Sequence, residues 1–161
     1  MNTCNYRLAK SVEAERIADI SRSLIEVGLK PTWPARRVLW HMRDRDSIVL
    51  TAAADTGLQG FAIMQFGDTT AHLNLLAVLP NRQRRGIGRQ LLNWLEDTAV
   101  TAGTFIIDLE LRASNSAARD FYTACEYRQI GFVHGYYQGL DSAIKMSRDL
   151  RTHCANDERQ R

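Results

Sequence analysis

No apolar run in this chain approaches the ~18–20 residues that a membrane-spanning helix needs. Residues 1–10 carry neither an apolar core nor a small-residue cleavage site, so no secretory leader is expected. Cysteine is scarce: Cys4, Cys125 and Cys154 are odd in number, widely spaced and never arranged as Cys-x-x-Cys. That argues against a disulfide framework or a zinc site and makes a reducing cytoplasm the default location. Ten glycines and three prolines are too few for a collagen-like or low-complexity chain. Lysine occurs only at Lys10, Lys30 and Lys145, so nearly all of the 21 basic residues are arginines. The formal net charge is +3, far from the dense single-sign surface of a dedicated nucleic-acid binder. His41, His72, His134 and His153 are scattered and form no ligand set, and no metal is expected.

What remains is 161 residues, 45% of them hydrophobic. That is the size of one domain, expected over residues 1–150 with a polar, arginine-rich tail over 151–161. Tyr6–Leu8 reads as a first strand. Ser11 is a plausible N-cap for a helix with Ile17, Ile20, Leu24 and Val27 at helical spacing, ended by Gly28. Pro34 opens a second helix carrying Val38, Leu39 and Met42. Three strands with short connections follow, over residues 47–54, 58–66 and 70–79. Ile87, Leu91, Leu92 and Leu95 then line a helix reaching about Thr101. A strand over 105–111, a helix opened by Ser114-Asn115, and strands over 127–133 and 143–147 complete the order. The pattern predicts an α+β domain with a mostly antiparallel mixed sheet of about seven strands and about four helices on its faces.

The sharpest local feature is Gln83-Arg84-Arg85-Gly86-Ile87-Gly88-Arg89, between a strand and a helix. A helix N-terminus presents unpaired N–H groups and partial positive charge. Glycine there lets a large anion approach the main chain. The segment lacks the Lys-Ser/Thr of a P-loop and the third glycine of the dinucleotide fingerprint. A pyrophosphate cradle, a solvated basic turn, and a nucleic-acid contact through Arg82, Arg84 and Arg85 are all compatible with it.

The segment resembles the Gln/Arg-x-x-Gly-x-Gly/Ala signature of the GNAT superfamily of acyl-CoA-dependent N-acyltransferases. Around it stand Leu75-Leu76-Ala77-Val78, Leu109-Glu110-Leu111-Arg112-Ala113-Ser114-Asn115, Phe121-Tyr122, Gly135-Tyr136-Tyr137 and Asp141-Ser142-Ala143-Ile144-Lys145-Met146. As a series, spanning roughly Phe61 to Met146, they resemble the ribosomal-protein-alanine N-acetyltransferase branch. The resemblance implies acetyl-CoA as co-substrate. Leu76, Ala77 and Val78 would pair with its pantetheine arm, and Arg84, Arg85, Gly86, Ile87, Gly88 and Arg89 would hold its pyrophosphate. Asn115 would reach it near the thioester. Glu110 would be the general base and Tyr122 the general acid.

Side chains alternate along a strand, so Asp108 and Glu110 share a face opposite Ile107, Leu109 and Leu111. Two carboxylates some ~6–7 Å apart would raise each other's pKa, and a raised Glu110 is the better base for an ammonium of pKa about 7.7–8.0. A wet strand face explains the same pattern. Tyr122 could donate to a departing thiolate, a transfer uphill by a unit or two, although Phe121-Tyr122 also reads as core packing. A backbone N–H of Ala77 or Val78 would polarise the thioester carbonyl.

Two departures from the branch stand out. Glu126-Tyr127 replaces the common Gly-Phe, and the connection from Tyr137 to Asp141 is short. Trp33 and Trp40 are candidates for an acceptor wall, with packing under the second helix the expected fate. The expected activity is direct acetyl transfer to a primary amine, foremost a protein N-terminal α-amine. Alternatives are a small amine (polyamine, amino acid or aminoglycoside) and a non-catalytic CoA-binding sensor. No direct nucleic-acid or membrane partner is expected, and the chain is expected to act as a monomer or homodimer.

Overall fold

A computed structural model describes residues 3–152. Strand β1 (Asn5–Leu8) leads through a 3-10 turn at Ser11–Glu13 into α1 (Ala14–Leu24) and α2 (Ala35–Arg43). Strands β2 (Ser47–Ala54), β3 (Gly57–Phe66) and β4 (Thr70–Val78) follow, then a 3-10 turn at Pro80–Arg82 and α3 (Ile87–Thr101). The rest is β5 (Ile106–Arg112), α4 (Ser116–Ala124), β6 (Arg128–Tyr137) and β7 (Asp141–Asp149). The strands form one seven-stranded sheet in the order β1-β2-β3-β4-β5-β7-β6, the α+β arrangement expected from the element order. Among the described residues no helix is long and apolar enough to cross a membrane. His153, Cys154 and the rest of the expected tail beyond Thr152 lie outside the described residues.

The chain divides into two units, residues 3–65 with 73–95, and residues 66–72 with 96–152. In the first, the apolar stripe of α1 (Ala14, Ile17, Ile20) packs with Val38 of α2, Trp33, and strand residues Val49, Phe61, Ile63 and Leu75. Full burial of each large side chain contributes about 1.5–3 kcal/mol. Ser11 does not cap α1. Instead Glu13 reaches back to the Lys10 N–H at 2.7 Å and accepts two bonds from Arg7 at 2.8 and 3.0 Å. A charge-assisted pair outcompetes a neutral hydroxyl. Trp33 is buried as expected, stacked beneath Arg37. Trp40 departs from the expectation: it is 55% exposed, touching only the edge of the buried His41 ring on its own helix among the aromatic contacts.

In the second unit, Leu109 faces Met146 and Leu111 faces Ile144 across the antiparallel β5–β7 pair, and all four are buried. Strands β6 and β7 run further than the pattern predicted, to Tyr137 and from Asp141. The pairing register shifts between Val133 and Tyr137, around the left-handed Gly135 (φ 65°), while burial keeps alternating to Tyr137. Gln138 and Gly139, at φ 57° and 74°, then close a tight hairpin, whose turn needs consecutive left-handed residues.

At the α4–β6 junction Glu126 takes the left-handed conformation (φ 69°) that glycine would adopt. Its carboxylate accepts a bond from Arg148 at 2.9 Å, and Arg148 also bonds Glu96. Cys125 is buried as a small apolar residue. Tyr127 fills the following buried position, and its hydroxyl is buried without a hydrogen-bond partner. An orphaned buried hydroxyl costs about 1–3 kcal/mol. Tyr127→Phe is therefore expected to raise stability by about 1 kcal/mol, read as a higher urea midpoint at unchanged slope; a lower midpoint would show that the hydroxyl is satisfied in solution.

Candidate active site

The first unit carries the basic loop. Arg84 (φ 61°) and Gly86 (φ 82°) are both left-handed, and this alternation turns successive N–H groups toward one side, a concavity suited to anions. A Cβ at Gly86 would meet no atom within 4 Å, so backbone conformation, not space, selects glycine there. The Gly86 carbonyl accepts from Gln90 N–H at 3.0 Å, opening α3 so that its first-turn N–H groups are unspent. Gln83 fastens the loop by donating from Nε2 to the Val78 carbonyl at 3.0 Å. Among the described residues Arg82, Arg84 and Arg85 enter no ion pair. Arg84, Arg85, Gly86 and Arg89 are exposed, while Ile87 is buried and roots the helix. Arg82 and Arg85 also border a cavity of about 120 Å³ with Tyr6, Ala54 and Gln59, so the loop's cations are not gathered at a single point.

Strand β4 precedes the loop. Ala77 is buried, and Leu76 and Val78 lie half-buried on the opposite face. The β2–β3 register passes from Ala52↔Gly60 to Ala53↔Leu58, which leaves Gln59 as a bulge. The Gln59 carbonyl accepts from Leu79 N–H at 2.9 Å. A Cβ on Gly60 would lie 2.7 Å from the Ala77 carbonyl oxygen and 3.3 Å from Val78 Cα. Glycine is thus required where β3 meets the residues proposed to face the cofactor. Nothing in the local sequence pattern marked this position.

The second unit carries Glu110 and Tyr122, the residues expected to act as base and acid. Glu110 accepts a hydrogen bond from His72 Nε2 and lies 3.7 Å from the Lys145 ammonium, its cross-strand partner on β7. The carboxyl group is largely buried, and both partners are partly exposed. The His72 bond holds Glu110 below the usual carboxylate range, outweighing the opposing effect of burial, with the charges of His72 and Lys145 adding to it. The expectation of a raised Glu110 is therefore corrected. A direct donor and a nearby cation outweigh a second carboxylate two residues along the strand. His72, read as scattered, is also corrected: it shares a face of β4 with Leu76 and Val78 and is bound to Glu110. Among the described residues no group of His, Cys, Asp and Glu could hold a metal.

Tyr122 is buried on α4, with the rings of Phe121 and Tyr127 edge-on at 5.0 and 5.7 Å. Burial pushes its hydroxyl well above the ordinary tyrosine value, with Cys125 and Tyr137 adding to the rise. Proton transfer to a thiolate is steeper than the sequence reading allowed, so Tyr122 is better suited to stabilise an anion as an intact O–H donor. Asn115 is the N-cap of α4, its Oδ1 accepting from Ala118 N–H at 3.0 Å; this leaves the amide NH₂ as the group it can present. Asp141 ties the same region together. It accepts from Arg112 Nε at 3.0 Å and Ser114 Oγ at 2.5 Å, the end of β5 and the turn that leads to Asn115.

The fold and these residues define an acyltransferase class, and comparison with known proteins agrees. The acetyltransferase (GNAT) family model matches residues 14–127, and the chain belongs to this family. It is 40% identical over 101 residues to the [ribosomal protein bS18]-alanine N-acetyltransferase of Salmonella typhimurium, covering 61% of this chain and 68% of that protein. It is 32% identical over 143 residues to N-alpha-acetyltransferase RimI of Mycobacterium tuberculosis, covering 85% and 87% respectively. Of a further relative, N-alpha-acetyltransferase 20 of Dictyostelium discoideum, the chain covers 46% of the length at 33% identity. The crystal structure of the ribosomal-protein-S18-alanine N-acetyltransferase from Escherichia coli superposes with a TM-score of 0.78 at 24% identity, over 92% of this chain and 94% of that one; this likeness speaks to fold.

Two outcomes follow from the geometry. Gly60→Ala is expected to destabilise the protein by about 1–3 kcal/mol through overpacking, seen as a lowered denaturation midpoint; an unchanged midpoint would mean that β3 and β4 separate freely. Carbon-13 NMR of the glutamate carboxyls is expected to find Glu110 titrating below the ordinary 4.5, and His72→Ala is expected to move that titration upward, since a donor to the charged form is lost. By the same sign, the stability contributed by this contact is complete above the usual carboxylate range and is lost as pH falls through the depressed value.

Proposed function

We propose that the protein transfers an acetyl group from acetyl-CoA to a primary amine, foremost the N-terminal α-amine of a protein. The observation that carries this reading is the paired left-handed backbone at Arg84 and Gly86, at the mouth of α3 beside the exposed guanidiniums of Arg84 and Arg85. It fits a diphosphate: the loop offers main-chain N–H groups and a helix N-terminus, with arginines on the same segment although not all at one point. In this reading Arg84 through Arg89 hold the diphosphate, and Leu76, Ala77 and Val78 hold the pantetheine arm through their backbone. The Val78 carbonyl already receives Gln83, so its contribution is shared. Asn115 presents its amide NH₂.

Acetyl-CoA supplies an acetyl group activated as a thioester. Glu110 draws the acceptor ammonium toward a negative charge and promotes loss of its proton, directly or through water. Tyr122 donates a hydrogen bond to the departing thiolate. The names of the relatives support an α-amine of a protein as acceptor over a small amine. The compact Gln138–Leu140 turn also leaves a shorter barrier beside that half of the sheet than a long loop would.

The test is free-thiol release from acetyl-CoA with three acceptor sets: peptides with a free N-terminus, the same peptides blocked, and a panel of polyamines and aminoglycosides. Turnover is expected with free-N-terminus peptides and is expected to fall at least ~100-fold in Glu110→Gln, with calorimetric affinity for coenzyme A retained. Turnover confined to the small amines would overturn the acceptor assignment. Absence of any heat on titrating coenzyme A would overturn the whole reading.

A further inference from the structure

We propose that Asp141 is a positioning residue for acetyl transfer: its carboxylate pins the turn before α4 and so sets the direction in which Asn115 presents its amide NH₂ to the thioester end of the cofactor. This rests on the acetyl-transfer reading above and deepens it. Asn115 has little freedom of its own. Its Oδ1 is spent on the Ala118 N–H at 3.0 Å, and its main-chain N–H donates to the Arg112 carbonyl at 2.9 Å. The direction of the NH₂ group therefore follows the direction of the turn over residues 112–115. Ser114 and Asn115 are exposed, so apolar packing does not fix that turn.

Polar contacts fix it instead. The Ala113 N–H donates to the Ser142 carbonyl at 2.8 Å. Arg112 Nε and Ser114 Oγ both donate to Asp141 Oδ2, at 3.0 and 2.5 Å. Asp141 Oδ1 accepts from the Ser142 N–H at 2.8 Å. Among the described residues Asp141 is the only side chain outside the turn that bonds to residues 113–115. An ionised carboxylate only accepts, and these three donors occupy both of its oxygens. Bonds to a charged acceptor are roughly twice as strong as neutral ones. They hold the Asp141 carboxyl below its ordinary range, the Ser114 bond first and the Arg112 bond next.

The anchor is itself rigid. Asp141 opens β7 directly after the hairpin turn and pairs there with Tyr137. Gly139 N–H donates to the Gly135 carbonyl and Leu140 N–H to the Tyr137 carbonyl, both at 2.9 Å. Ser142 Oγ accepts from the Gly135 N–H at 3.1 Å. The short connection from Tyr137 to Asp141 thus has a use, because the residue that holds the turn stands on a hairpin with no slack.

Asp141→Asn isolates the role. An amide offers one acceptor oxygen and one donor group, so either the Arg112–Ser114 pair or the Ser142 N–H would meet a donor. In the ligand-free protein this variant is expected to shift the nitrogen-15 side-chain amide signal of Asn115 and to leave that of Asn93, on α3, unmoved. Asn115→Ser removes the NH₂ group while keeping a capping oxygen. Calorimetry with coenzyme A is expected to find affinity about 10-fold weaker in Asp141→Asn and in Asn115→Ser, and no weaker again in the double variant. If Asp141→Asn does not fold, Ser114→Ala takes its place, since it removes only the turn's bond; the same pattern is expected at about 3-fold. Losses that multiply in the double variant would show that Asp141 acts other than through Asn115 and would overturn the inference. An unmoved Asn115 signal, or unchanged affinity in Asp141→Asn, would overturn it equally. Absence of heat from coenzyme A in the wild type would instead overturn the acetyl-transfer reading, a failure told apart by the Asn115 signal, which needs no cofactor.

Discussion

The Glu110 carboxylate is held between an imidazole and an ammonium, and what holds it there is apolar packing. Leu109 against Met146 and Leu111 against Ile144 bury one face of the β5–β7 pair. A slip of one residue would turn all of these side chains to the other face. The register that buries the leucines is therefore the register that sets Lys145 opposite Glu110. Hydrophobic burial, non-directional in itself, fixes a directional polar contact as a by-product. Removal of a core leucine would accordingly be felt at the carboxylate even though the two never touch.

The elements that repeat a simple period were legible in the sequence. Strand β4 alternates without interruption, and α3 buries Ile87, Leu91, Leu92 and Leu95 as their spacing marks; α1 buries Ile17 and Ile20, but it ends at Leu24, and Val27, at the same spacing, lies beyond the helix and is exposed. The place of the basic loop between β4 and α3 was legible because the hydrophobic period changes across it, whereas its glycines and arginines alone left a cradle, a solvated turn and a nucleic-acid contact all open. The His72–Glu110 contact was not. It joins residues 38 positions apart, and periodicity tells which face a residue occupies but not which strand lies beside it. The error about Glu110 has the same root. An argument confined to one strand could see only Asp108, whereas the donors come from neighbouring strands. The far end of β6 was missed where the ladder continues past a register shift between Val133 and Tyr137.

Glu126-Tyr127 shows how a family pattern can change without moving the chain. The turn after α4 keeps its left-handed residue, although a non-glycine residue there costs roughly 1–2 kcal/mol. The exposed ion pair to Arg148 offsets only part of this, since such pairs contribute about 0–1 kcal/mol. The ring of Tyr127 still fills its buried position, and the hydroxyl is an added burden. Neither change reaches Glu110 or Asn115, so the departure belongs to the energetics of the second unit rather than to its chemistry.

Arg84 poses the same problem in the first unit, where strain has a different consequence. A left-handed arginine is disfavoured, yet the loop is fastened on both sides of it: Gln83 to the Val78 carbonyl, Arg82 N–H to the Leu79 carbonyl at 2.9 Å, and Gln90 N–H to the Gly86 carbonyl at 3.0 Å. None of these contacts needs an anion. The strain is therefore met when the protein folds and not when a ligand arrives. A cradle formed in advance loses little conformational freedom on binding, so the attraction between its N–H groups and a diphosphate is available as affinity. In the proposed reading the arginines that enter no ion pair among the described residues follow the same logic. Guanidiniums already held in ion pairs would have to break them before meeting a phosphate, a cost that Arg82, Arg84 and Arg85 do not carry among the described residues.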